Sequence, residues 1–416
     1  MTREIYMDYS DIINSKNIEE AYGNLKGIIK DTPLEKSRSV SEKVGGEVFL
    51  KLENLQRGGS FKIRGAYNFL YNIKKDVIAA SAGNHSQGVA LAARLLGLHA
   101  TIVMPEFAPP VKVEATRNYG ADVILFGKTF DEATEFAKDM ARHHGLVFAH
   151  AFDNPFVIAG QGTIGVEILE EAMDSDYVLI PVGGGGLISG ISLYLREKGY
   201  KGKIIGVESE KAASMKLSFQ NGFPVKLESV STIADGIAIK SPSELTFNLA
   251  RKYIDDVVTV SDNEISEAMF ILLERGKIVA EPAGAASVAA LLSGKVDGRG
   301  KKSIALISGG NVDLTLLTQI IEYNLLKIGR EFTIKFVLDN RPGELKKAVE
   351  TIASLKLSIE ELNTELFSYE VPVGRQMVTM RLKVYGNEAL SNLVEKFKKY
   401  GFDIIDIKGI ENIPQM

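Results

Sequence analysis

The chain has 416 residues, more than one ordinary hydrophobic core holds, so two or three domains are expected. Apolar residues at 45% and charged residues at 25% fit a folded protein, while a formal net charge of −4 and the lack of a long basic run argue against nucleic acid as a partner. The absence of cysteine excludes disulfides, cysteine-bound zinc, iron–sulfur clusters and thiol catalysis.

The first residues carry acidic side chains and no apolar core, so they do not read as a secretion signal, and no stretch reaches the length of an uncharged membrane span. A cytoplasmic location and no membrane partner follow as expectations. The stretch "GGSFKIRGAY", 58–67, passes from a loop into a helix whose buried stripe is Ile63, Ala66, Tyr67 and Leu70. Lys62 falls at the helix start, just off that stripe, where the helix dipole disfavours a positive charge. Strands are expected at "VIAAS" (77–81), "ATIVM" (100–104), "ADVILF" (121–126) and "LVFAH" (146–150), with helices between them. After a break rich in Asn, Pro and Gly, the alternation resumes: "GTIGVEILEEAM" as helix, "YVLIPV" as strand, "LISGISLYLREKG" as helix and "KIIGVES" as strand. The stretch 211–256 resists assignment and reads partly as loop. "NEISEAMFILLERGKI", with Asp262 as its cap, and "EPAGAASVAALLSG" read as helices, and "SIALIS" (303–308) as a strand. Strands alternating with helices predict two parallel α/β layers, one around 55–150 and one mainly 160–325, with the N-terminal residues joining the second.

Beyond Gly329 the pattern changes. "EFTIKFVLD", the turn "NRPG", the helix "ELKKAVETIASLK", two strand-like runs, the helix "NEALSNLVEKFKKYG" and "FDIIDIKG" follow in β-α-β-β-α-β order, a small ferredoxin-like unit.

Three glycine turns stand beyond strand ends, the edge where open parallel sheets bind ligands. "VLIPVGGGGLISGI", 178–191, sets four glycines between a strand and a helix, so backbone N–H groups converge without Cβ obstruction. It reads as a phosphate cup or, in the plainer alternative, as a tight crossover in a crowded sheet. It is not a nucleotide P-loop, because no Lys-Ser/Thr follows. "SAGNHSQG", 81–88, is either an anion-binding turn, with Asn84 as amide donor and His85 as acid or base, or a helix that Asn84 caps while His85 bonds a neighbour. In "LISGGN", 306–311, Ser308 could bond a ring nitrogen. A phosphate cup plus a lysine near a helix start fits pyridoxal phosphate, whose aldehyde needs an amine; Lys62 is otherwise a surface lysine or a phosphate clamp.

Together, "GGSFKIRGA", "SAGNHSQGVA", "GGGGLISG" and "SGGN" resemble the threonine dehydratases, or threonine ammonia-lyases, of the pyridoxal-phosphate β-family. "DNPFVIAGQGT" (153–163) and "EPAGA" (281–285) resemble the same branch, and the likeness covers about 20–325. The tail from about 330 resembles the ACT domain, an amino-acid-sensing module. The resemblance implies the two-domain fold type II, tryptophan synthase β-like, with twisted, mostly parallel sheets: a large domain of 1–54 and 155–326, a small one of 55–154, and an ACT-like domain of 330–416.

By the same resemblance Lys62 looks like the Schiff-base lysine and Phe61 like its neighbour at the pyridine ring. Asn84 looks like the donor to the ring 3′-oxygen, Gly183, Gly184, Gly185, Gly186 and Leu187 like the phosphate loop, and Ser308 like the partner of the ring nitrogen. Ser81, Ala82, Gly83, Asn84 and His85 would face the substrate carboxylate. Ala82 stands where serine racemases carry a second base, which favours elimination over racemisation. Glu208 and Ala212 match a racemase-like cation site, but Ser214, a neutral hydroxyl and a poorer ligand for a hard cation, replaces its aspartate, which leaves K⁺ or no ion as open as Mg²⁺ or Ca²⁺. The implied reaction is conversion of L-threonine, and of L-serine, by elimination through an aminocrotonate-type product. In the tail, the turn Asp339, Asn340, Arg341, Pro342 and Gly343 is the candidate site for an isoleucine or valine effector. A homo-oligomer, dimer or tetramer, is expected on general grounds.

Overall fold

The computed structural model describes residues 12–409 apart from 368, 370, 385 and 386, with no account of the side chains of 387–389. The N-terminal eleven residues, whose sequence argues against a secretion signal, lie outside the described residues. The chain divides into two compact units, Met1–Asp313 and Leu314–Met416.

The first unit holds two sheets. The larger runs Leu34–Lys36, Glu47–Leu52, Lys302–Ile307, Tyr177–Pro181, Lys203–Ser209, Asp256–Val260 in spatial order, parallel throughout except for the antiparallel pair at its first edge. The smaller is wholly parallel, in the order Asp122–Leu125, Ala100–Met104, Val77–Ala80, Val147–Phe148. Both have fully buried central strands, as their near-continuous apolar runs require. Strand ends place Ser81, Gly183 and Ser308 at the C-terminal edges of their sheets.

Several local readings change. The Asn-, Pro- and Gly-rich break before Gly162 is the first part of a helix, Pro155–Ala172. Asn154 caps it through the N–H groups of Phe156 and Val157, and Pro155 occupies a first-turn position where no N–H is needed. Its glycines serve close approach: a Cβ on Gly190 would come 2.7 Å from the Gly162 nitrogen, and one on Gly160 would overlap Arg64 and Gly65 backbone. Helices Lys62–Ile73 and Gly186–Glu197 therefore both lie against this helix with no room for a methyl. Ser261, not Asp262, caps helix Asp262–Ile271, in a capping box with Glu264. The unassigned stretch 211–256 contains helices Ser214–Asn221 and Glu244–Tyr253.

Arg64, two residues after Lys62, is fully buried. Its guanidinium donates to both oxygens of Glu53 at 2.8 and 2.7 Å and to both oxygens of Glu167 at 2.5 and 3.0 Å. Lys51 meets Glu167 at 2.7 Å and the Thr32 carbonyl at 2.5 Å. Burial acts against the Arg64 charge, but Glu53 and then Glu167 outweigh it and raise the guanidinium pKa. The four charges of Lys51, Glu53, Arg64 and Glu167 sum to zero, and the network ties the start of helix Lys62–Ile73 to the larger sheet and to helix Pro155–Ala172.

The second unit opens with helix Leu314–Lys327, which the sequence reading did not separate from the preceding part. A four-stranded antiparallel sheet follows, in the order Ser358–Glu365, Arg375–Lys383, Glu331–Asp339, Asp403–Lys408, with helices Glu344–Ser354 and Asn387–Lys399. This is the ferredoxin-like arrangement. Phe336, Phe397 and Phe402 pack within its core. Among the described residues no helix is long and apolar enough to cross a membrane.

Replacing Arg64 with Ala leaves two buried carboxylates against Lys51 alone and is expected to cost about 3–5 kcal/mol, read from urea unfolding; a loss under about 1 kcal/mol would show that the network does not hold this helix.

Candidate active site

Lys62 begins its helix, with Phe61 as the preceding cap residue. The Phe61 N–H donates to the Ser308 carbonyl at 3.1 Å, and a single bridge joins Ser60 to Gly309, so the third glycine turn anchors the lysine-bearing loop. From the other side, a Cβ on Gly88 would come 3.1 Å from Lys62 backbone and Cβ, so helix Asn84–Leu96 presses directly on the lysine. The amine donates to the Ala151 carbonyl at 3.3 Å and sits 4.9 Å from the Phe61 ring centroid. Burial lowers its pKa from the ordinary 10.5 to about 8, and Glu281 acts in the opposite direction. Burial is thus the cause that operates, and the neighbouring charge is a carboxylate.

Asn84 is the first residue of its helix, and Gly83 is the cap position, without a side-chain cap. Of the two sequence alternatives for Asn84, the capping one is thus set aside. Its amide donates to Glu281 Oε1 at 2.7 Å, and its Oδ1 accepts from Asn311 Nδ2 at 2.9 Å. One amide N–H of Asn84 makes the Glu281 bond, and the group has a second to offer. Burial pushes the Glu281 carboxyl up to about 7, against the lowering effect of the Asn84 bond. Ser81 Oγ accepts from the Gly83 N–H at 3.2 Å, Ala82 is partly covered, and a Cβ at Gly83 would meet open space. His85 Nε2 lies 2.9 Å from the Ala149 carbonyl; a carbonyl only accepts, so this nitrogen carries the proton. Burial drives the His85 pKa down to about 3, so at neutral pH the ring is uncharged and its Nδ1 is an acceptor, not an acid.

Gly183, Gly184 and Gly185 lead from strand Tyr177–Pro181 into helix Gly186–Glu197. Gly185 has φ 91°, a left-handed conformation that favours glycine, and no side chain caps the helix. Thr246 Oγ1 donates to the Gly184 carbonyl at 2.8 Å and fixes the back of the turn. Leu187, in the first turn of the helix, is buried. Ser308 is buried directly beyond strand Lys302–Ile307.

Two further sequence candidates have other geometry. Both oxygens of Glu208 accept backbone N–H groups, from Met215 and Lys216 at 2.8 Å each, so this carboxylate caps helix Ser214–Asn221. Ala212 is buried nearby in sequence, and the buried Ser214 Oγ has no hydrogen-bond partner among the described residues. In the second unit, Asp339 faces Arg375 at 3.4 Å, Asn340 N–H donates to the Gly374 carbonyl at 3.0 Å, and Arg341 N–H donates to the Asp339 carbonyl at 2.8 Å. Pro342 is exposed, and Gly343, at φ 99°, precedes helix Glu344–Ser354.

The family model for pyridoxal-phosphate dependent enzymes matches residues 25–309, which include Lys62, Asn84, the glycine turn and Ser308. The chain belongs to this family. Among curated relatives, an L-threonine ammonia-lyase of Thermotoga maritima is 44% identical over 398 residues, covering 94% of this chain and 99% of that protein. The L-threonine dehydratase catabolic TdcB of Staphylococcus aureus strain N315 is 46% identical over 333 residues, 78% of this chain and 96% of its own. Among solved structures, processed threonine deaminase isoform 2 of Solanum lycopersicum superposes with TM-score 0.71 at 39% identity, covering 76% of this chain and 89% of that one. Maize serine racemase gives TM-score 0.71 at 34% identity, covering 75% and 98%. The fold is fold type II of the pyridoxal-phosphate enzymes, and the cofactor is pyridoxal 5′-phosphate.

The residues present suit that cofactor. An uncapped helix start behind a glycine turn offers N–H groups to a phosphate, and a lysine amine with a pKa of about 8 offers a neutral nucleophile to an aldehyde. Sequence reasoning assigned no role to Glu281, Asn311 or Thr246. The motifs "EPAGA" and "SGGN" contain Glu281 and Asn311, but no local pattern marks Thr246.

The Lys62 shift carries a stability consequence. The folded-state pKa lies below the unfolded value, so the stability linked to this group is present above 10.5 and is lost as pH falls through about 8. Cofactor-stripped Lys62→Met protein is therefore expected to exceed the stripped parent by up to about 3 kcal/mol at pH 7, the gap closing between pH 8 and 10.5. A gap that does not change over this range, in unfolding experiments, would show a hydrated amine.

Proposed function

We propose that the chain is a threonine ammonia-lyase that converts L-threonine to 2-oxobutanoate and ammonia by α,β-elimination, and acts on L-serine by the same route. The observation that carries this reading is the half-buried Lys62 amine, its pKa lowered to about 8 and its backbone packed against the helix that begins at Asn84, in a chain 44% identical to an L-threonine ammonia-lyase over nearly its whole length. Pyridoxal phosphate supplies the electron withdrawal that acidifies the substrate Cα–H.

The protein's own groups do the rest. Gly183, Gly184, Gly185, Gly186 and Leu187 would hold the phosphate through backbone N–H groups. Asn84 has a second amide N–H that would serve the ring oxygen, and Phe61 would lie beside the ring. Lys62 is the catalytic residue: its amine would hold the cofactor's aldehyde carbon, and as a free amine it would take the proton from the substrate Cα. The turn of Ser81, Ala82, Gly83, Asn84 and His85 receives the carboxylate. His85, neutral and fixed by Ala149, keeps a second titratable charge away from the lysine. Ser308 would offer the ring nitrogen an uncharged hydroxyl and no fixed negative charge, which favours elimination of the β-hydroxyl. Ala82 has no proton to deliver to the opposite face, which disfavours racemisation.

In domain terms this reading takes 1–54 with 155–326 as the large catalytic domain and 55–154 as the small one, in keeping with the two separate sheets. The tail, 330–416, is read as an ACT-like regulatory domain that takes a branched amino acid such as isoleucine or valine at the turn Asp339–Gly343, in a homo-oligomer. Both biosynthetic and degradative roles are compatible with this chemistry.

Lys62→Ala is expected to reduce 2-oxobutanoate formation from threonine by at least about 10³-fold; turnover within tenfold of the parent would remove Lys62 from the mechanism. A chain ending at Leu326 is expected to keep threonine turnover and lose any response to isoleucine, measured by initial rates with and without the amino acid; retained inhibition would place the effector elsewhere.

A further inference from the structure

The short segment Ala149–Phe152 meets each part of the site in turn. The Ala149 carbonyl takes the His85 N–H at 2.9 Å, next to the carboxylate turn. Two residues on, the Ala151 carbonyl takes the Lys62 amine at 3.3 Å. One peptide further, the side chain of Phe152 lies on the glycine turn: a Cβ at Gly184 would overlap its ring, and one at Gly186 would come 2.8 Å from its Cβ. The segment thus forms a wall running from the carboxylate turn, past the lysine amine, to the phosphate loop.

Phe152 is the one large apolar side chain on that wall. It is only partly covered, so part of its surface is free to meet a ligand. Its ring is also held in place. His150 packs edge-on against it, with centroids 4.7 Å apart and planes at 86°, and His150 Nδ1 accepts the Asp153 N–H at 2.9 Å.

An amino acid in this site has three directions assigned. In the proposed reaction its Cα hydrogen would face the Lys62 amine, its nitrogen the cofactor, and its carboxylate the Ser81–His85 turn. The fourth bond, to Cβ, points to what remains between them. We propose that Phe152 is the specificity residue for this position, and that its ring contacts the methyl group that threonine carries on Cβ and serine lacks. The inference rests on the threonine ammonia-lyase reading and names the side chain that selects within it. The contact is apolar and leaves the hydroxyl, the group that departs, unconstrained by the ring.

The test compares the full-length holoenzyme with Phe152→Ala and Phe152→Leu. The ratio of kcat/KM for threonine over serine is expected to fall about tenfold or more in the alanine variant, within the range that one methyl contact supplies. In parallel, the binding of L-2-aminobutyrate and L-alanine is followed by the change in cofactor absorbance. These two differ by the same methyl and have no hydroxyl to lose, and their ratio of Kd values should move by a similar factor. A general loss of packing would lower turnover of both substrates equally, so an unchanged ratio with lower rates overturns the proposal. Should the alanine variant not fold, the leucine variant, which preserves contact with Gly184, should shift the ratio at least about threefold, and an unchanged ratio there overturns it as well. A parent protein that eliminates from neither amino acid would defeat the activity reading, while the analogue-binding ratio would still decide the role of Phe152.

Discussion

The candidate active site depends on the partial burial of one lysine amine. Lys62 stands at the start of a helix, the least favourable end for a cation, and burial lowers its pKa to about 8. The helix stays in place because Gly88 and Gly160 remove the methyl groups that would push it outward, and because Arg64 ties its first turn to Glu53 and Glu167. Position and reactivity thus have one origin: the packing that fixes the amine also desolvates it.

Around that amine, charge is distributed sparingly. His85 is neutral at physiological pH, Ser308 carries an uncharged hydroxyl, and burial raises the Glu281 carboxyl, which accepts the Asn84 amide, to about 7. Such a site can hold an anionic phosphate and a carboxylate without an excess of fixed charge. The second unit has a different character, an antiparallel sheet whose turn at Asp339 is tied to Arg375 by charge and to Gly374 by a backbone hydrogen bond.

Much of this was legible in the sequence. Parallel strands such as Ala100–Met104 are short apolar runs bounded by turns, and the glycine turns sit where the strands stop. The β-α-β-β-α-β tail reads from its alternation alone. Helix Pro155–Ala172 was obscured because its proline and glycines look like loop residues; the proline occupies a position needing no N–H, and the glycines admit neighbouring helices. Asp262 was taken as a cap because it opens the periodic run, but Ser261 has the oxygen that reaches the Glu264 N–H. The contacts of Phe152 and Asn311 were illegible for a simpler reason. Each joins residues far apart in the chain, Asn311 and Asn84 being 227 positions apart, and no local pattern encodes such a meeting.

The buried Arg64 also imposes an order on biosynthesis. Glu53 precedes it by 11 residues, but Glu167 follows it by 103. At a translation rate of roughly 5–20 residues per second, about 5–20 s pass between the synthesis of the arginine and that of its second carboxylate. Throughout that interval the nascent chain cannot complete the neutral cluster, so the lysine two positions earlier reaches its final setting only after most of helix Pro155–Ala172 has left the ribosome.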